Sequence, residues 1–392
     1  MIPVDEALAK VLALARGPRH EVVGLADAFG RVLTKPATAR LTQPPFDASA
    51  MDGYAMRLAD IQSKLPVVGT SAAGHPWQGK PAPGTAIRIF TGAPVPEGFD
   101  HVELQENAER AGDDIRVIQA SRGRNIRKRG NDFAEGDQLQ PGRRLSAADI
   151  GLLAAMNVAQ VTVAARPRVA ILAGGDELVR PGEDPGPGQI VSSNDLAIAA
   201  QVRDAGGEPT ILPIARDTEE SLRQAFDAAR GADLLVTIGG ASVGDHDLIA
   251  KVAEKVGVDR AFYKVAMRPG KPLMAGMMAD TAMLGLPGNP VSAMVCGMIF
   301  MQALIRRMSG MTDTDRSEML PLAVDLLPEG PRQHYLRAAI TRRNGQVLVR
   351  PFEDQDSARL SIMSQADALL VRPANDPARA AGEPVTVIRI GR

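Results

Sequence analysis

Four glycine-rich turns, each directly after an apolar run, are the feature that most constrains how this chain can fold. They lie between Arg168 and Pro290, in segments 168–177, 234–247, 267–272 and 284–290. Backbone amides freed at such turns, next to helix N-termini, bind phosphate. The carboxylates and lysine within the same turns suit a hard cation and an anionic ligand. The pattern predicts a site for a phosphorylated or nucleotide-bearing ligand that is handled with magnesium.

Strand-like and helical patterns alternate through this part of the chain. The predicted strands are 168–173, 208–214 and 233–238, and the predicted helices are 194–205, 218–230, 247–256 and a long helix from Pro290. This alternation indicates βαβ units and a mainly parallel sheet that is covered on both faces. Ligands bind at the carboxyl ends of the strands of such sheets. The four turns are therefore expected to gather on one edge.

The rest of the chain predicts further domains, since 392 residues exceed one ordinary core. We predict a discontinuous N-terminal linking domain (1–43 and 136–166), a β-rich second domain (44–135), the α/β domain (167–310) and a small C-terminal β-domain (317–392). Ser146 is the predicted N-cap of a helix over 146–156, with Asp149 at its third position. The fold class is a multidomain α/β and β protein.

The charge composition argues against nucleic acids and anionic membranes as binding partners. With 45 Lys+Arg and 46 Asp+Glu, the net charge of -1 provides no field that would attract nucleic acid or an anionic membrane. The basic run 122–129 lacks interleaved aromatic residues, so we interpret it as a solvated or ligand-facing loop. No signal peptide and no run of about 20 apolar residues is found, which predicts a cytoplasmic protein. Cys296, within an apolar helical stretch, is expected to be a buried hydrophobic residue.

Seven motifs, in order along the chain, carry a resemblance to a known family. They occupy residues 46–55, 91–96, 125–132, 175–178, 239–247, 269–272 and 286–292. Together they resemble the molybdopterin molybdenumtransferase family, to which the E-domain of gephyrin also belongs. The resemblance implies an α/β domain of the molybdopterin-binding type. It also implies that adenylylated molybdopterin and molybdate meet in one site, the phosphoanhydride is cleaved with Mg²⁺, AMP leaves and molybdenum stays on the dithiolene sulfurs.

The resemblance also implies partners. It predicts a homodimer with a cross-subunit active site, in which the α/β domain of one subunit faces the second domain of the other. A molybdopterin adenylyltransferase and molybdoenzyme apoproteins are the further protein partners that it suggests, with neither nucleic acid nor membrane among them.

The candidate site residues come from the residue patterns and from the resemblance together, and the resemblance alone supplies Asp52, Ser49, Thr91, Arg337 and Ser361. The catalytic candidates are Asp52, Glu177, Asp217 and Asp247, and the metal ligands are Glu177, Asp245 and Asp247. The ligand-binding candidates are Thr91, Gly239, Gly240, Ser242, Gly244, Arg268, Lys271, Pro287, Gly288, Asn289, Pro290, Arg337 and Ser361. Ser49 and Asp176 are lesser candidates. Ordinary turns and helix caps would place many of the same residue types at these positions, so both interpretations stay open.

Two other functions remain open at this point. One is an adenylyltransferase that makes the adenylylated intermediate, because the α/β module resembles both activities, and the other is a non-catalytic dimeric scaffold like gephyrin. The sequence departs from the family pattern at four positions, Gly174, Asn131, Arg268 and Leu248. These departures leave the reaction rate and the preferred oxyanion open.

Overall fold

The structure, a computed structural model, describes residues 1–239, 248–311, 316–343 and 345–391. These residues form two compact units. The first unit contains Met1–Glu21, Gly30–Thr34 and Ala164–Arg392, and the second contains Val22–Phe29 and Lys35–Val163. The chain passes between the units at four points, after Glu21, Phe29, Thr34 and Val163. The first point lies in the strand His20–Gly24 and the last in the strand Gln160–Ala164. The boundaries of the four predicted domains stay a prediction.

The first unit is built on a six-stranded sheet. In spatial order its strands are Glu208–Ile211, Arg168–Ala173, Leu234–Ile238, Thr281–Leu286, Met274–Met278 and Val258–Tyr263. The first four strands pair in parallel and the last two join them antiparallel. This confirms the prediction of a mainly parallel sheet. The strand Leu234–Ile238 is buried along its whole length, as expected for a central strand covered on both faces.

Helices cover both faces of this sheet because successive side chains of a strand point to opposite sides. Val236 belongs to one apolar cluster with the helices Val4–Leu12, Asn194–Asp204 and Pro290–Cys296. Leu235 belongs to a second cluster, with the helices Glu219–Ala228 and Leu248–Lys255. Met274, Met278 and Met283 also lie in the second cluster.

The helix that begins at Pro290 continues through Gly297–Met301 and Gln302–Met308. In the described part of the chain, this helix, Pro290–Met308, is the one that has the length and apolar composition of a membrane span. The prediction that the chain has no apolar run of about this length was therefore wrong. Of the apolar stretch of this helix, 89% is buried inside the protein, as expected for a core helix. Cys296 lies within it and is fully buried, as predicted, and burial raises the pKa of its thiol.

A second sheet in the first unit is formed by the C-terminal residues. Its strands, in spatial order, are Met267–Arg268, Gln333–Arg343, Ala368–Arg372, Pro384–Arg389 and Ser317–Pro321, and Gln346–Pro351 also pairs with Gln333–Arg343. The short helix Leu360–Gln365 precedes the strand Ala368–Arg372. This confirms a small C-terminal β-structure, and it shows that Met267–Arg268 pairs with that structure.

The second unit is β-rich, as predicted. Its main sheet contains, in spatial order, His101–Leu104, Gly53–Met56, Ala86–Ile89, Lys64–Ser71, Asp114–Val117 and Ala108–Ala111. Short strand pairs are formed by Ala48–Ser49 with Ile126–Arg127 and by Ala37–Thr38 with Gln138–Leu139. The α-helices of this unit are Leu25–Ala28 and Ala147–Ala155, and short 3-10 helices span Leu58–Asp60 and Gln105–Asn107. Ser146 and Asp149 form a reciprocal capping box at the start of the second helix, which confirms the predicted N-cap.

Candidate active site

A cavity of about 800 Å³ opens at the carboxyl ends of the parallel strands of the first unit. This is the edge that the glycine-rich turns were predicted to share. The predicted residues that line it are Glu177, Asp217, Gly239, Pro287, Gly288, Asn289 and Pro290. Its volume falls in the range of roughly 300–1,000 Å³ that is typical of ligand pockets. Gly174, one of the four positions that depart from the pattern of the family that the chain resembles, also lies on the wall.

Glu177 reaches the cavity because the preceding turn is made by glycine. Gly175 has φ +148°, a backbone conformation that side-chain-bearing residues rarely adopt. A Cβ on Gly175 would lie 2.3 Å from Oε2 of Glu177, so the carboxylate folds back over the space that glycine leaves empty. The carbonyl of Glu177 accepts a hydrogen bond of 2.8 Å from the N–H of Ile190. The double glycine therefore determines where this carboxylate lies.

Asp217 belongs to the turn before the helix Glu219–Ala228. The N-cap of this helix is Thr218, whose side chain accepts a hydrogen bond from the N–H of Ser221, so Asp217 is left for other contacts. The N–H of Asp217 donates to Oδ1 of Asp176 at 3.2 Å, and the N–H of Asp176 approaches Oδ2 of Asp217 at 3.4 Å. Two turns with acidic residues are thus joined directly at the edge of the sheet, and Asp217 lines the cavity.

The helix that begins at Pro290, with proline in its first turn, forms another part of the cavity wall. Asn194, at the start of another helix, donates from its amide to the carbonyl of Gly288 at 2.7 Å. The side chain of Asn289 donates to Oγ of Ser357 at 3.1 Å, and the N–H of Val291 donates to the carbonyl of Ser357 at 3.1 Å. These contacts hold the turn 287–290 between a neighbouring helix and the C-terminal structure.

Four predicted ligand-binding residues of the first unit do not line this cavity: Arg268, Lys271, Arg337 and Ser361. Arg268 and Ser361 are exposed, and Lys271 precedes Pro272, which does line the cavity. Arg337 is 1% exposed, and burial lowers its pKa. Its guanidinium donates to Oε1 of Gln355 and to the carbonyls of Asp354 and Asp356. The proposed contacts of these four residues with an oxyanion stay a prediction.

Asp52, Thr91 and Ser49 lie in the second unit. The backbone N–H and the hydroxyl of Thr91 both donate to Oδ1 of Asp52, each at 2.7 Å. These two hydrogen bonds lower the pKa of Asp52 below its ordinary value. Ser49 is buried and its hydroxyl donates to the carbonyl of Met51 at 2.6 Å. The structure brings Asp52 and Thr91 together, although 39 residues separate them in the sequence.

Five further candidates fall outside the described residues: Gly240, Ser242, Gly244, Asp245 and Asp247. Within 1–239, 248–311, 316–343 and 345–391, no group of three or more His, Cys, Asp or Glu residues could hold a metal ion. Glu177 and Asp217 are nevertheless two carboxylates on the wall of one cavity. Carboxylate oxygens are the ligands that Mg²⁺ prefers, so the donors present fit this cation.

Sequence reasoning missed several residues of the cavity wall. Among them are Ile190 to Asn194 and Lys251. Ile190–Val191 pairs in parallel with Leu178–Val179 and so lies beside Glu177, a long-range pairing that no local pattern indicates. Lys251 could have been found, because it lies in the first turn of a helix that begins at the predicted ligand edge.

Three family models match the chain in consecutive parts. The MoeA N-terminal region (domain I and II) matches residues 2–157, a probable molybdopterin binding domain matches 170–307, and the MoeA C-terminal region (domain IV) matches 319–390. Together they account for most of the chain.

Similar proteins agree with these matches along the whole length. Molybdopterin molybdenumtransferase 2 of Mycobacterium tuberculosis is 35% identical over 404 residues, which cover 99% of this chain and 99% of that protein. The molybdopterin molybdenumtransferase of Nostoc sp. is 34% identical over 94% of this chain and 88% of its own length. The crystal structure of the molybdopterin biosynthesis MoeA protein from Pyrococcus horikoshii OT3 has a TM-score of 0.87, with 26% identity and full coverage of both chains.

Proposed function

The chain belongs to the molybdopterin molybdenumtransferase family, and from this premise we propose that it inserts molybdenum from molybdate into adenylylated molybdopterin. The proposed reaction depends on Mg²⁺, cleaves the phosphoanhydride and releases AMP. The observation that carries the proposal is the cavity of about 800 Å³, which combines the carboxylates of Glu177 and Asp217 with the glycine-rich turns around Gly239 and Gly288.

The residues of the cavity have complementary roles in this proposal. Backbone N–H groups of the turn 287–290 are assigned to phosphate oxygens, because the N–H of Gly239 already donates to the carbonyl of Leu286 at 3.2 Å. Glu177 and Asp217 would hold Mg²⁺, together with Asp245 and Asp247. When bound, Mg²⁺ neutralises charge on the phosphate oxygens as the anhydride is cleaved.

The remaining candidates are assigned to the oxyanion and to its surroundings. Arg268 and Lys271, on either side of a Pro-Gly turn, carry positive charges suited to molybdate. Asp52 accepts two hydrogen bonds from Thr91 and would complete the environment of the metal or of molybdate. We include in the proposal a homodimer whose active site combines residues of two subunits, and a cytoplasmic location.

The test is release of AMP from adenylylated molybdopterin with Mg²⁺, with and without micromolar molybdate. The proposal predicts release that molybdate stimulates and that chelation of Mg²⁺ abolishes. ATP-dependent formation of adenylylated molybdopterin by the purified protein would favour the adenylyltransferase instead. Tight binding of the substrate without any release would favour the scaffold.

Gly175 provides a test of how the site is built. A Gly175→Val substitution is expected to slow AMP release about 100-fold, because its side chain would occupy the position of the Glu177 carboxylate and the valine would disfavour φ +148°. Steady-state assays of the purified variant measure the effect. The matched control is Gly182→Val, at a glycine that also has positive φ but has no atom within 4 Å of its Cβ position. Equal rates for both variants would contradict the assigned position of Glu177.

A further inference from the structure

Lys251 lies on the wall of the cavity, and none of the assignments above gives it a role. It belongs to the helix Leu248–Lys255, three residues after Leu248, which lines the same cavity. Residues three apart lie on the same face of a helix. Ile249, Val252 and Ala253 on the other face are at most 5% exposed and pack in the core. The buried face of the helix therefore fixes Lys251 on the side of the cavity.

The charge of Lys251 is distinctive among its neighbours. In the described part of the cavity wall, it provides the one cationic side chain, whereas Glu177 and Asp217 provide two carboxylates. A phosphorylated ligand would bring further negative charge beside these two carboxylates. Binding of such a ligand requires positive charge near its phosphate group, in addition to any charge that a metal ion supplies.

We propose that Lys251 binds a phosphate group of the ligand and makes the cavity selective for phosphorylated nucleotides over the uncharged nucleosides. A lysine suits this role because its ammonium is a compact charge with three donors on a flexible stem, able to reach phosphate oxygens. The inference rests on the proposed function in one respect, since it takes the ligand to contain an adenylyl phosphate. It assigns this residue to binding and gives it no part in the chemical step.

The experiment measures equilibrium binding of AMP and of adenosine, by calorimetry, to the full-length protein. The variants are Lys251→Gln, which removes the charge, and Lys251→Arg, which keeps it. The matched control is Lys255→Gln, on the same helix, because Lys255 is exposed, as Lys251 is, but donates to Oε2 of Glu219 at 2.5 Å and does not line the cavity. Circular dichroism and thermal unfolding establish that each variant is folded.

Lys251→Gln is expected to weaken AMP binding about tenfold to 100-fold, the usual effect of losing a charge-assisted hydrogen bond. Adenosine binding should be unchanged in this variant, Lys251→Arg should retain AMP affinity to within about threefold, and Lys255→Gln should match the unmutated protein. Added salt should weaken AMP binding less in Lys251→Gln than in the unmutated protein.

Unchanged AMP affinity in Lys251→Gln would overturn the proposal, as would an equal loss of AMP and adenosine, or a failure of the unmutated protein to bind AMP. These outcomes are separate from the fate of the proposed function. If AMP binding depends on Lys251 but molybdate never stimulates AMP release, the result supports the phosphate site and contradicts the transferase reaction. If molybdate stimulates AMP release but Lys251→Gln binds AMP normally, the result supports the transferase reaction and contradicts the phosphate site.

Discussion

Glu177→Gln is expected to slow molybdate-stimulated AMP release at least 100-fold, the largest effect on activity of any substitution among the described residues. Glutamine keeps the size of the side chain and removes the negative charge that the proposed cation would need. A preorganised charged group in such a site typically contributes a factor of about 10²–10³ to the rate. Single-turnover assays with saturating substrate measure the effect on the chemical step without the contribution of product release.

The control for this substitution is Glu220→Gln. Glu220 is an exposed acid in the first turn of the helix that follows Asp217, and it does not line the cavity. Both variants lose one negative charge, so any general effect of net charge is common to them. A rate for Glu177→Gln within about threefold of the control would show that this carboxylate is an ordinary turn residue.

Glu103→Gln is expected to destabilise the second unit by about 3 kcal/mol at pH 7. Glu103 is fully buried on the strand His101–Leu104. Its carboxylate accepts hydrogen bonds from the amide of Asn107 at 2.8 Å and from the N–H and the hydroxyl of Ser121. Burial alone would raise the pKa of Glu103, but the donors from Ser121 and Asn107 outweigh burial and lower the pKa to about 2. The difference between this pKa and the ordinary value of 4.5 corresponds to a contribution of about 3 kcal/mol to the free energy of unfolding.

The sign of this shift predicts how the stability depends on pH. Because the pKa is lower in the folded state, the contribution of Glu103 is fully present above about pH 4.5 and is lost as the pH falls toward 2. The difference in free energy of unfolding between the unmutated protein and Glu103→Gln should therefore shrink over that interval. The single tryptophan, Trp77, lies in the same unit and stacks on Phe99, so its fluorescence reports the unfolding of this unit in denaturant.

Glu106→Gln is the matched control for Glu103→Gln. Glu106 lies three residues further along the chain and is exposed, so its loss should change the free energy of unfolding by less than about 0.5 kcal/mol. A destabilisation by Glu103→Gln that stays constant between pH 7 and pH 3 would contradict the assignment of an ionised buried carboxylate.

Much of the fold could be predicted because strong apolar patterns determine the elements. The strand predicted over 168–173 has the same bounds in the structure, and the helix predicted over 218–230 is observed as Glu219–Ala228. The strand predicted over 208–214 ends at Ile211, two residues before Pro213, which has no N–H to donate to a ladder. The pairing of Met267–Arg268 with the C-terminal sheet could not be predicted, because such pairing depends on residues far apart in the sequence.

The candidate site could be predicted in part for a related reason. Because the carboxyl ends of parallel strands lie at one edge of the sheet, the sequence predicted that Glu177, Gly239 and Gly288 would lie close together, and all three line one cavity. Lys251 was missed because a lysine in a helix is usually a solvated surface residue, and its position depends on which face the helix buries. The surroundings of Arg337 were also not predictable, because the guanidinium is held by acceptors in a turn 17 to 19 residues away.

The most direct measurement of the central claim is the ratio of molybdenum bound to the cofactor to AMP released, in a single turnover with Mg²⁺ and molybdate. A molybdenum insertase is expected to release one AMP for each cofactor that it loads. Release of AMP with no molybdenum on the cofactor would instead identify a hydrolase of the phosphoanhydride and contradict the account.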